Sequence, residues 1–368
     1  MKDPIRGFVV FVAIFLSVYG LAHLYIWWRL LKPLELTGAT LRFVQIAFLV
    51  LFVSFPLIHF WFRHENGWLV AAANWFSSVW MGMVAYFVLV TLASDLLRLV
   101  LFRHVPDGPM VSGIVASIAV VIAIYGLIEA RRVGVMELRV RVPNLTSDLR
   151  VVQIADVHMG LVVRGERLEQ IVNKVNSLQP DLIVITGDLV DAEALHMEDM
   201  IPLLQRLKAR HGVFAVTGNH EFFAGVGKVE VFLKEAGVTL LRNRAISIDG
   251  LQLVGLDDPV APRFTGQPPL PITGMMERGK PTVLLLHTPV TTLKQLKALG
   301  IHLQLSGHTH KGQLWPFNYI VKMIYKQTPY GLFTNGDATI YVSRGVGTWG
   351  PPMRVGAPPE ITLLTLTP

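Results

Sequence analysis

Residues 150–158 read Arg-Val-Val-Gln-Ile-Ala-Asp-Val-His, which is an apolar run that ends in polar residues. Its first part is a β-branched and aliphatic run, which predicts a buried strand. Its last part puts Asp156 and His158 into the loop that follows the strand. Over the last two thirds of the chain, short runs of the same kind alternate with helical patterns, which is typical of an α/β or α+β domain.

Four more apolar runs end in polar residues in the same way. The clusters are Gly187-Asp188, Gly218-Asn219-His220-Glu221, His287 and Gly307-His308-Thr309-His310. Taken one at a time, each cluster is more simply a turn, a helix cap or a satisfied polar residue. The simpler explanation does not suit five strand ends that all carry potential metal ligands, because the carboxyl ends of parallel strands line one crevice. The clusters are therefore predicted to converge.

Local patterns give the boundaries of the predicted elements. The predicted strands are 150–155, 181–186, 213–217, 251–255, 282–286, 302–305, 339–342 and 361–366. The predicted helices are 166–177, 202–209, 228–236 and 291–299, and 259–279 is predicted to be a surface loop. Three strand ends carry a glycine, at 187, 218 and 307, where the absent side chain lets the backbone turn sharply and brings ligands close to a shared ion.

In this order, the five blocks resemble the signature of the calcineurin-like metallophosphoesterase superfamily. The flanking sequence is similar, more narrowly, to a membrane-associated bacterial branch that includes UDP-2,3-diacylglucosamine pyrophosphatases, and to its transmembrane eukaryotic counterparts. Residues 217–225, 312–313 and 341–361 carry that closer likeness. The resemblance implies a two-sheet β-sandwich flanked by helices, in αββα layers. Lys311 departs from the pattern, since the branch usually has a small residue there.

Carried over residue by residue, the resemblance implies two divalent metal ions. One would be held by Asp156, His158, Asp188 and His310, and the other by Asp188, Asn219, His287 and His308. Oxygen ligands mixed with imidazole suit Mn²⁺, Fe or Zn²⁺ rather than Ca²⁺, and a chain with no cysteine offers no thiolate. A bridging carboxylate holds two ions at the ~3.5–4 Å that hydrolysis by a metal-bridging hydroxide needs.

Several further residues are candidates for binding and catalysis. His220 is predicted to protonate the leaving oxygen or to stabilise charge in the transition state, and its alternative is a structural imidazole beside the ligands. Glu221 and Asp191 could orient imidazoles by accepting their distal N–H groups. The candidate phosphate-binding cations are Arg344, Arg354 and Lys311, for which the alternatives are surface ion pairs or exposure to solvent.

The first third of the chain is predicted to cross a membrane four times. Hydrophobic residues make up 52% and charged residues 16% of the chain, which is too apolar for an ordinary soluble protein. Apolar runs long enough for a helix to span the hydrocarbon core lie at about 7–28, 41–62, 68–91 and 110–130, and 92–102 reads as an interfacial extension. The predicted domains are therefore a transmembrane region, 1–130, and a metallophosphoesterase domain, 131–368. The polar residues within the spans are His23, Gln45, His59 and Asn74, and we expect them to form interhelical hydrogen bonds or to lie at the interface rather than to line a polar cavity.

Four spans would put the catalytic domain on the same side of the cell membrane as the N-terminus. The distribution of Lys and Arg tips the prediction towards the cytoplasm. The net charge of +7 suits an anionic substrate or an anionic membrane surface, and no long basic run indicates nucleic acid. The oligomeric state stays open.

The sequence therefore predicts a membrane-anchored dinuclear-metal phosphoesterase that hydrolyses a phosphodiester, phosphomonoester or pyrophosphate bond in a lipid- or nucleotide-linked substrate. The apolar segment 314–325 would lean on the bilayer and admit an acyl chain, or it is a covered core loop. One alternative is a broad phosphodiesterase or phosphatase for soluble substrates that is merely tethered to the membrane. The other is a membrane receptor or transporter with a regulatory phosphoesterase-like domain, against which the complete ligand set argues.

Overall fold

The computed structural model describes residues 4–62, 67–101, 108–160, 163, 165–191, 197–269 and 271–368. The chain divides into two compact units. One contains Met1–Ile128 together with Gly350–Met353, and the other contains Glu129–Trp349 and Arg354–Pro368. The described residues do not include Lys2, Arg63 and Arg103, which contribute to the predicted orientation in the membrane. They also do not include Phe102, the last residue of the predicted interfacial extension.

Four apolar helices dominate the first unit. They are α1 (Pro4–Ile26), α2 (Gly38–Leu57), α3 (Trp68–Leu101) and α4 (Pro109–Glu129). Short π-helical turns extend α1 and α2, at Trp27–Leu31 and Ile58–Phe62, and the turn after α1 runs on into a 3₁₀ turn at Lys32–Leu34. By length and composition all four helices are able to cross a membrane, as predicted. The interfacial extension is a continuation of α3 as far as Leu101.

Polar side chains within this unit bond between helices. The buried His23 of α1 has its Nδ1 2.8 Å from the carbonyl oxygen of Tyr19, and its Nε2 accepts a hydrogen bond from Trp80 Nε1 of α3 at 3.0 Å. This agrees with the interhelical interpretation, although His23 and Gln45 also line a cavity of about 510 Å³. Pairing of this kind reduces the cost of polar groups in an apolar surrounding.

Two six-stranded mixed sheets form the frame of the second unit. The strands are β1 (Gly134–Arg141), β2 (Leu149–Ile154), β3 (Leu182–Thr186), β4 (Val213–Val216), β5 (Thr239–Leu240), β6 (Arg244–Ile248), β7 (Leu251–Gly255), β8 (Thr282–Leu285), β9 (Leu303–Ser306), β10 (Gly331–Asn335), β11 (Ala338–Val342) and β12 (Glu360–Thr367). Their orders are β1-β12-β2-β3-β4-β5 and β10-β11-β9-β8-β7-β6. Strands β2 to β5 are parallel in the first sheet, and β7, β8, β9 and β11 are parallel in the second.

The described residues of the second unit also form seven short helices. They are α5 (Glu166–Ser177), α6 (Ile201–Leu204), α7 (Asn219–Ala224), α8 (Val226–Glu235), α9 (Ala261–Thr265), α10 (Leu293–Leu299) and α11 (Asn318–Ile324). Turns of 3₁₀ helix lie at Met197–Met200, Ile272–Gly274 and His310–Gly312. The region predicted as a helix at 202–209 forms only the single turn α6, and α11 occupies a segment that was predicted to be a loop.

The sheets pack face to face with helices outside, which confirms the predicted αββα layers. Alternation along β3 shows the arrangement, because Leu182 and Val184 point into the core between the sheets while Ile183 and Ile185 join the core under the helices. Gln153 ties the two sheets together, since its Nε2 donates to Thr186 Oγ1 at 2.8 Å and to the Ser306 carbonyl at 2.9 Å. The parallel strands of both sheets therefore end close to one another.

Candidate metal centre

The strand-end clusters meet at the carboxyl edge of the two sheets. In two groups each residue offers one potential ligand atom, and these atoms lie within 4.8 Å of one another: Asp156 with His158 and His310, and Asp188 with His287 and His308. Each group combines loops from both sheets, because the aspartates follow β2 and β3 whereas His287, His308 and His310 follow β8 and β9. The structure therefore brings together six of the seven predicted ligands, and Asn219 follows β4 at the same edge.

The imidazole nitrogens of these groups face one another. His158 Nε2 lies 3.1 Å from His310 Nε2, and His308 Nδ1 lies 3.2 Å from His287 Nε2. His287 Nδ1 is 2.8 Å from the carbonyl oxygen of Thr186, which can only accept a hydrogen bond. The ring therefore keeps a proton on Nδ1 and turns its Nε2 towards the other potential ligands.

Three buried polar atoms at the site make no hydrogen bond to any residue that the structure describes. They are Asp156 Oδ2, His158 Nδ1 and Asn219 Oδ1. A buried polar atom without a partner is costly, whereas a divalent cation would satisfy carboxylate and amide oxygens together with facing imidazole lone pairs. The residues present therefore fit the metal ions that the ligand types imply.

The ligand loops have an unusual backbone conformation. Asp156, His158, Asp188, His308 and His310 all have φ between 46° and 72°. Residues with a side chain seldom adopt this left-handed region, which costs of order 1–3 kcal/mol each and is concentrated at functional sites. Tight turns of this kind let alternate residues of one loop point at the same centre.

Two glycines permit the close approach of the ligand loops. A Cβ at Gly218 would lie 2.1 Å from Asp188 Oδ1, and one at Gly187, where φ is +83°, would lie 2.6 Å from His287 Nδ1. Both distances are far below van der Waals contact, so a side chain at either position would push a ligand away. The predicted reason for these glycines therefore agrees with the geometry.

Carboxylates hold the ligand loops in place. Glu221, which is buried, accepts hydrogen bonds from the backbone N–H groups of Asp188 at 2.9 Å, Val190 at 3.2 Å and Gly218 at 2.6 Å. Its role differs from the prediction, because it fixes the backbone rather than an imidazole. Asp156 Oδ1 similarly accepts from the His308 N–H at 2.8 Å.

Burial and mutual charge shift the protonation of the ligands. Burial raises the pKa of Asp156 to about 7, and it lowers the pKa of His158 and of His308 to about 4. For Asp188, burial acts upwards but the charge and hydrogen bond of His287 outweigh it, so the pKa falls below its usual value. Neutral imidazoles beside an ionised carboxylate are the forms that bind a metal.

His220 lies beside the ligands and is held by Asp191. Its ring centroid is 4.6 Å from that of His158, and its Nδ1 is 3.0 Å from Asp191 Oδ1, which is the pairing suggested by the sequence. Burial lowers the pKa of His220, but the hydrogen bond to Asp191 and the charges of nearby carboxylates outweigh burial and raise it to about 9. Asp191, His158 and His220 also lie within ligand distance of one another.

The three candidate phosphate-binding cations occupy different surroundings. Arg354 is fully buried, and its guanidinium donates to the backbone carbonyls of Arg344 at 2.7 Å and Gly347 at 3.1 Å and contacts His310 Nδ1 at 3.1 Å. Arg354 therefore offers no exposed N–H group to a substrate, and it does not form an ion pair at the surface. Arg344 pairs with the buried Glu360, and the Lys311 ammonium lies 4.9 Å from the ring centroid of Tyr330.

Asp258 is a residue of the site that sequence reasoning missed. It is buried and follows β7, and its carboxylate accepts a hydrogen bond from Thr288 Oγ1, next to His287, at 2.5 Å. Its charge is one of those that raise the pKa of His287, against the effect of burial. The signal was present in the sequence, because Asp257-Asp258 follows an apolar strand just as the five recognised clusters do.

Comparison with known proteins places these features in a family. Residues 149–312 match the model of the calcineurin-like phosphoesterase family. An uncharacterized metallophosphoesterase of Campylobacter jejuni is 30% identical over 98% of this chain and 98% of its own length. Proteins called transmembrane protein with metallophosphoesterase domain are 34% identical in Bos taurus, over 68% of this chain and 61% of theirs, and 29% identical in Danio rerio, over 97% and 89%.

The similar proteins and the structure of this chain agree on the membrane helices and on the potential metal ligands. Four helices able to span a membrane, in a chain similar to proteins called transmembrane, make this a membrane protein. The matched segment contains all seven predicted ligands, and six of them lie in two groups of potential ligands at the sheet edges. The chain therefore belongs to the calcineurin-like phosphoesterase family and is a metal-dependent phosphoric ester hydrolase.

Proposed function

We propose that this membrane protein hydrolyses a phosphodiester, phosphomonoester or pyrophosphate bond with two divalent cations that share Asp188. One observation carries the proposal. Asp188 Oδ2 lies 3.1 Å from His287 Nε2 and 3.9 Å from His158 Nε2, so the same oxygen faces ligands of both groups. A carboxylate in that position is suited to bridge two ions at the separation used in two-metal hydrolysis, about 3.5–4 Å.

The seven predicted ligands divide between the two cations. Asp156, His158 and His310 would hold one, Asn219, His287 and His308 would hold the other, and Asp188 would bind both. When bound, such a pair supplies Lewis acidity that makes a water nucleophilic near neutral pH and neutralises phosphoryl charge. Mn²⁺, Fe and Zn²⁺ are the ions that these ligand types suit.

His220 would act on the leaving group. Its pKa is raised to about 9, so the imidazole carries a proton at neutral pH that it can donate to the leaving oxygen. Asp191 holds the ring through Nδ1, and the transfer would use Nε2. Asp191 is then a positioning residue, since it acts through His220.

Aromatic side chains near His220 favour a lipid- or nucleotide-linked substrate. The ring of Phe223 lies 5.6 Å and that of Trp349 6.4 Å from the imidazole, and both are exposed. Exposed aromatic surfaces beside a proton donor would contact the part of the substrate that leaves, whether a flat base or an apolar group. We further propose that the catalytic domain lies on the same side of the cell membrane as the N-terminus, in the cytoplasm.

The test uses the full chain, purified in detergent, with wild type, Asp188→Ala and Asp148→Ala. Asp148 is exposed at the other end of the β2 strand, so its variant controls for the loss of an acid. We expect Mn²⁺-dependent hydrolysis of a chromogenic phosphodiester by wild type and Asp148→Ala, and loss by orders of magnitude in Asp188→Ala. Activity that survives in Asp188→Ala would refute the two-metal assignment.

A panel of substrates tests whether the protein acts on lipid- or nucleotide-linked phosphates or on soluble esters, in which case the helices would serve only as an anchor. Lipid pyrophosphates, phosphodiesters and nucleotides would be compared by kcat/KM in the same detergent. A preference for lipid- or nucleotide-linked phosphates supports the proposal. Equal turnover of small soluble esters would instead favour a broad phosphoesterase that is only tethered.

A further inference from the structure

The outward face of α11 is apolar. Tyr319, Ile320, Met323 and Ile324 are 56%, 52%, 72% and 66% exposed, and their spacing puts them on one side of the helix. This exposure rules out the covered core loop that was one alternative for the segment. A surface helix normally turns its polar residues outward, so the arrangement calls for a partner.

The longer helices α5 and α8 of the same unit turn mainly polar residues outward. The exposed residues of α5 include Glu166, Gln170, Asn173 and Lys174, and its buried residues are Leu168, Ile171, Val172 and Val175. On α8 the apolar Val231 is exposed, but it stands among Glu230, Lys234 and Glu235. The apolar outer face is thus a feature of α11 and not of the unit's helices in general.

The opposite face of α11 is held by the unit itself. Phe317, Val321 and Tyr325 recur at the spacing of one helix side and are only partly exposed. Tyr325 packs edge-on against the ligand His308, with ring centroids 5.9 Å apart. The helix orientation is therefore fixed from inside, and the outer apolar residues remain uncovered within the described chain.

Positive charge surrounds the apolar face. Residues 308–336 contain three lysines, at 311, 322 and 326, and no Asp, Glu or Arg. The Lys322 ammonium lies 5.9 Å from the ring of Tyr319 and 5.7 Å from that of Tyr330. Aliphatic and aromatic side chains flanked by lysines are the composition of helices that lie in the headgroup region of anionic membranes.

We propose that α11 docks by this face onto the headgroup layer of an anionic phospholipid membrane. The four apolar residues would enter the boundary with the acyl chains, while Lys311, Lys322 and Lys326 contact lipid phosphates. Three basic residues near an anionic surface would give a free protein only a modest affinity for that surface. This chain also carries four helices able to span a membrane, so docking is intramolecular and a weak affinity suffices.

The same charges argue against a second copy of this chain as the occupant. A two-fold contact through α11 would bring the lysines of both copies to one interface with no acid in the segment to pair them. The inference does not rest on the proposed phosphoesterase function, because it concerns lipid contact and not turnover.

The experiment exploits the absence of cysteine from the chain. Met323→Cys and Val231→Cys, both at exposed positions, would be labelled with an environment-sensitive fluorophore in the full chain and placed in lipid nanodiscs. Lipids with a nitroxide near the headgroup would be included as quenchers. Nanodiscs of phosphatidylcholine alone would be compared with nanodiscs that also contain phosphatidylglycerol.

We expect severalfold stronger quenching of the probe at 323 than of the probe at 231, with an increase when phosphatidylglycerol is added. Lys322→Glu together with Lys326→Glu should remove that increase. Equal quenching at the two positions would overturn the proposal. A probe at 323 that is shielded from water in detergent, in a manner that depends on protein concentration, would also overturn it, because a second copy would then be the partner.

Discussion

At the scale of single residues, carboxylates outside the predicted ligand set determine how the potential ligands are held. Glu221 binds three backbone N–H groups, Asp191 binds His220, and Asp258 binds the hydroxyl of Thr288. The strand-end pattern identified the potential ligands that lie together because that pattern is local. The partners of Glu221 and Arg354 were not predictable, since they depend on how distant loops approach each other in space.

Replacement of Asp191 by Asn should change the pH dependence of catalysis. A proton donor with a raised pKa is active below that pKa and is lost as pH rises through it. Asp191 contributes to the rise in the pKa of His220 to about 9, so its removal should lower that pKa. We expect the alkaline limb of the kcat/KM profile to move to lower pH, whereas the exposed Asp199→Asn should leave it in place. An unchanged alkaline limb would show that His220 is not the group that titrates there.

Arg354→Lys should destabilise the protein even though the charge is kept. A lysine has one nitrogen and cannot reach the separate carbonyls of Arg344, Gly347 and His310 that the guanidinium contacts. A buried acceptor left without a partner costs about 1–3 kcal/mol. We expect a clear fall in the thermal unfolding midpoint together with reduced metal content by elemental analysis.

The matched control is Arg206→Lys, at an exposed ion pair with Glu169 where little stability is at stake. If Arg354→Lys kept both the wild-type midpoint and the wild-type metal content, the structural role of Arg354 would be wrong.

At the scale of elements, the four strands that sequence patterns did not predict are β1, β5, β6 and β10, and these are the four edges of the two sheets. Interior parallel strands are buried on both faces and read as continuous apolar runs. Edge strands are half exposed, as in β1, where Glu137, Arg139 and Arg141 alternate with apolar residues. The local signal is therefore weakest where burial is least.

Gly218→Ala should disrupt the centre through the turn before α7. The new Cβ would lie 2.1 Å from Asp188 Oδ1 and 2.6 Å from the Asp188 backbone nitrogen, so the shared ligand must move. We expect loss of bound metal and of turnover, as elemental analysis and the phosphodiester assay would measure. Gly227→Ala in α8 meets nothing within 4 Å and should be neutral or stabilising by about 0.5–1 kcal/mol. Full metal content in Gly218→Ala would contradict this account of the turn.

At the scale of the whole molecule, the first and last strands of the second unit pair with each other. The C-terminal strand β12 lies between β1 and β2, parallel to one and antiparallel to the other. No local pattern predicts such a pairing, because it joins residues far apart in the chain. Layering was predictable from the family resemblance, whereas strand order and the position of the edges came only from the structure.

Removal of metal should lower the stability of the whole second unit. The ligand loops leave strands of both sheets, and without cations two buried carboxylates and four imidazoles face one another. A ligand that binds only the folded state stabilises it. We expect a chelator to lower the thermal unfolding midpoint of wild type and to change Asp188→Ala much less, as measured by scanning fluorimetry in detergent. An equal response of both proteins would contradict this coupling.

Anomalous X-ray scattering from crystals of the full chain grown with Mn²⁺ tests the shared role of Asp188 most directly. We expect two peaks, about 3.5–4 Å apart, with the Asp188 carboxylate between them. A single peak, or two peaks that do not share this carboxylate, would contradict it.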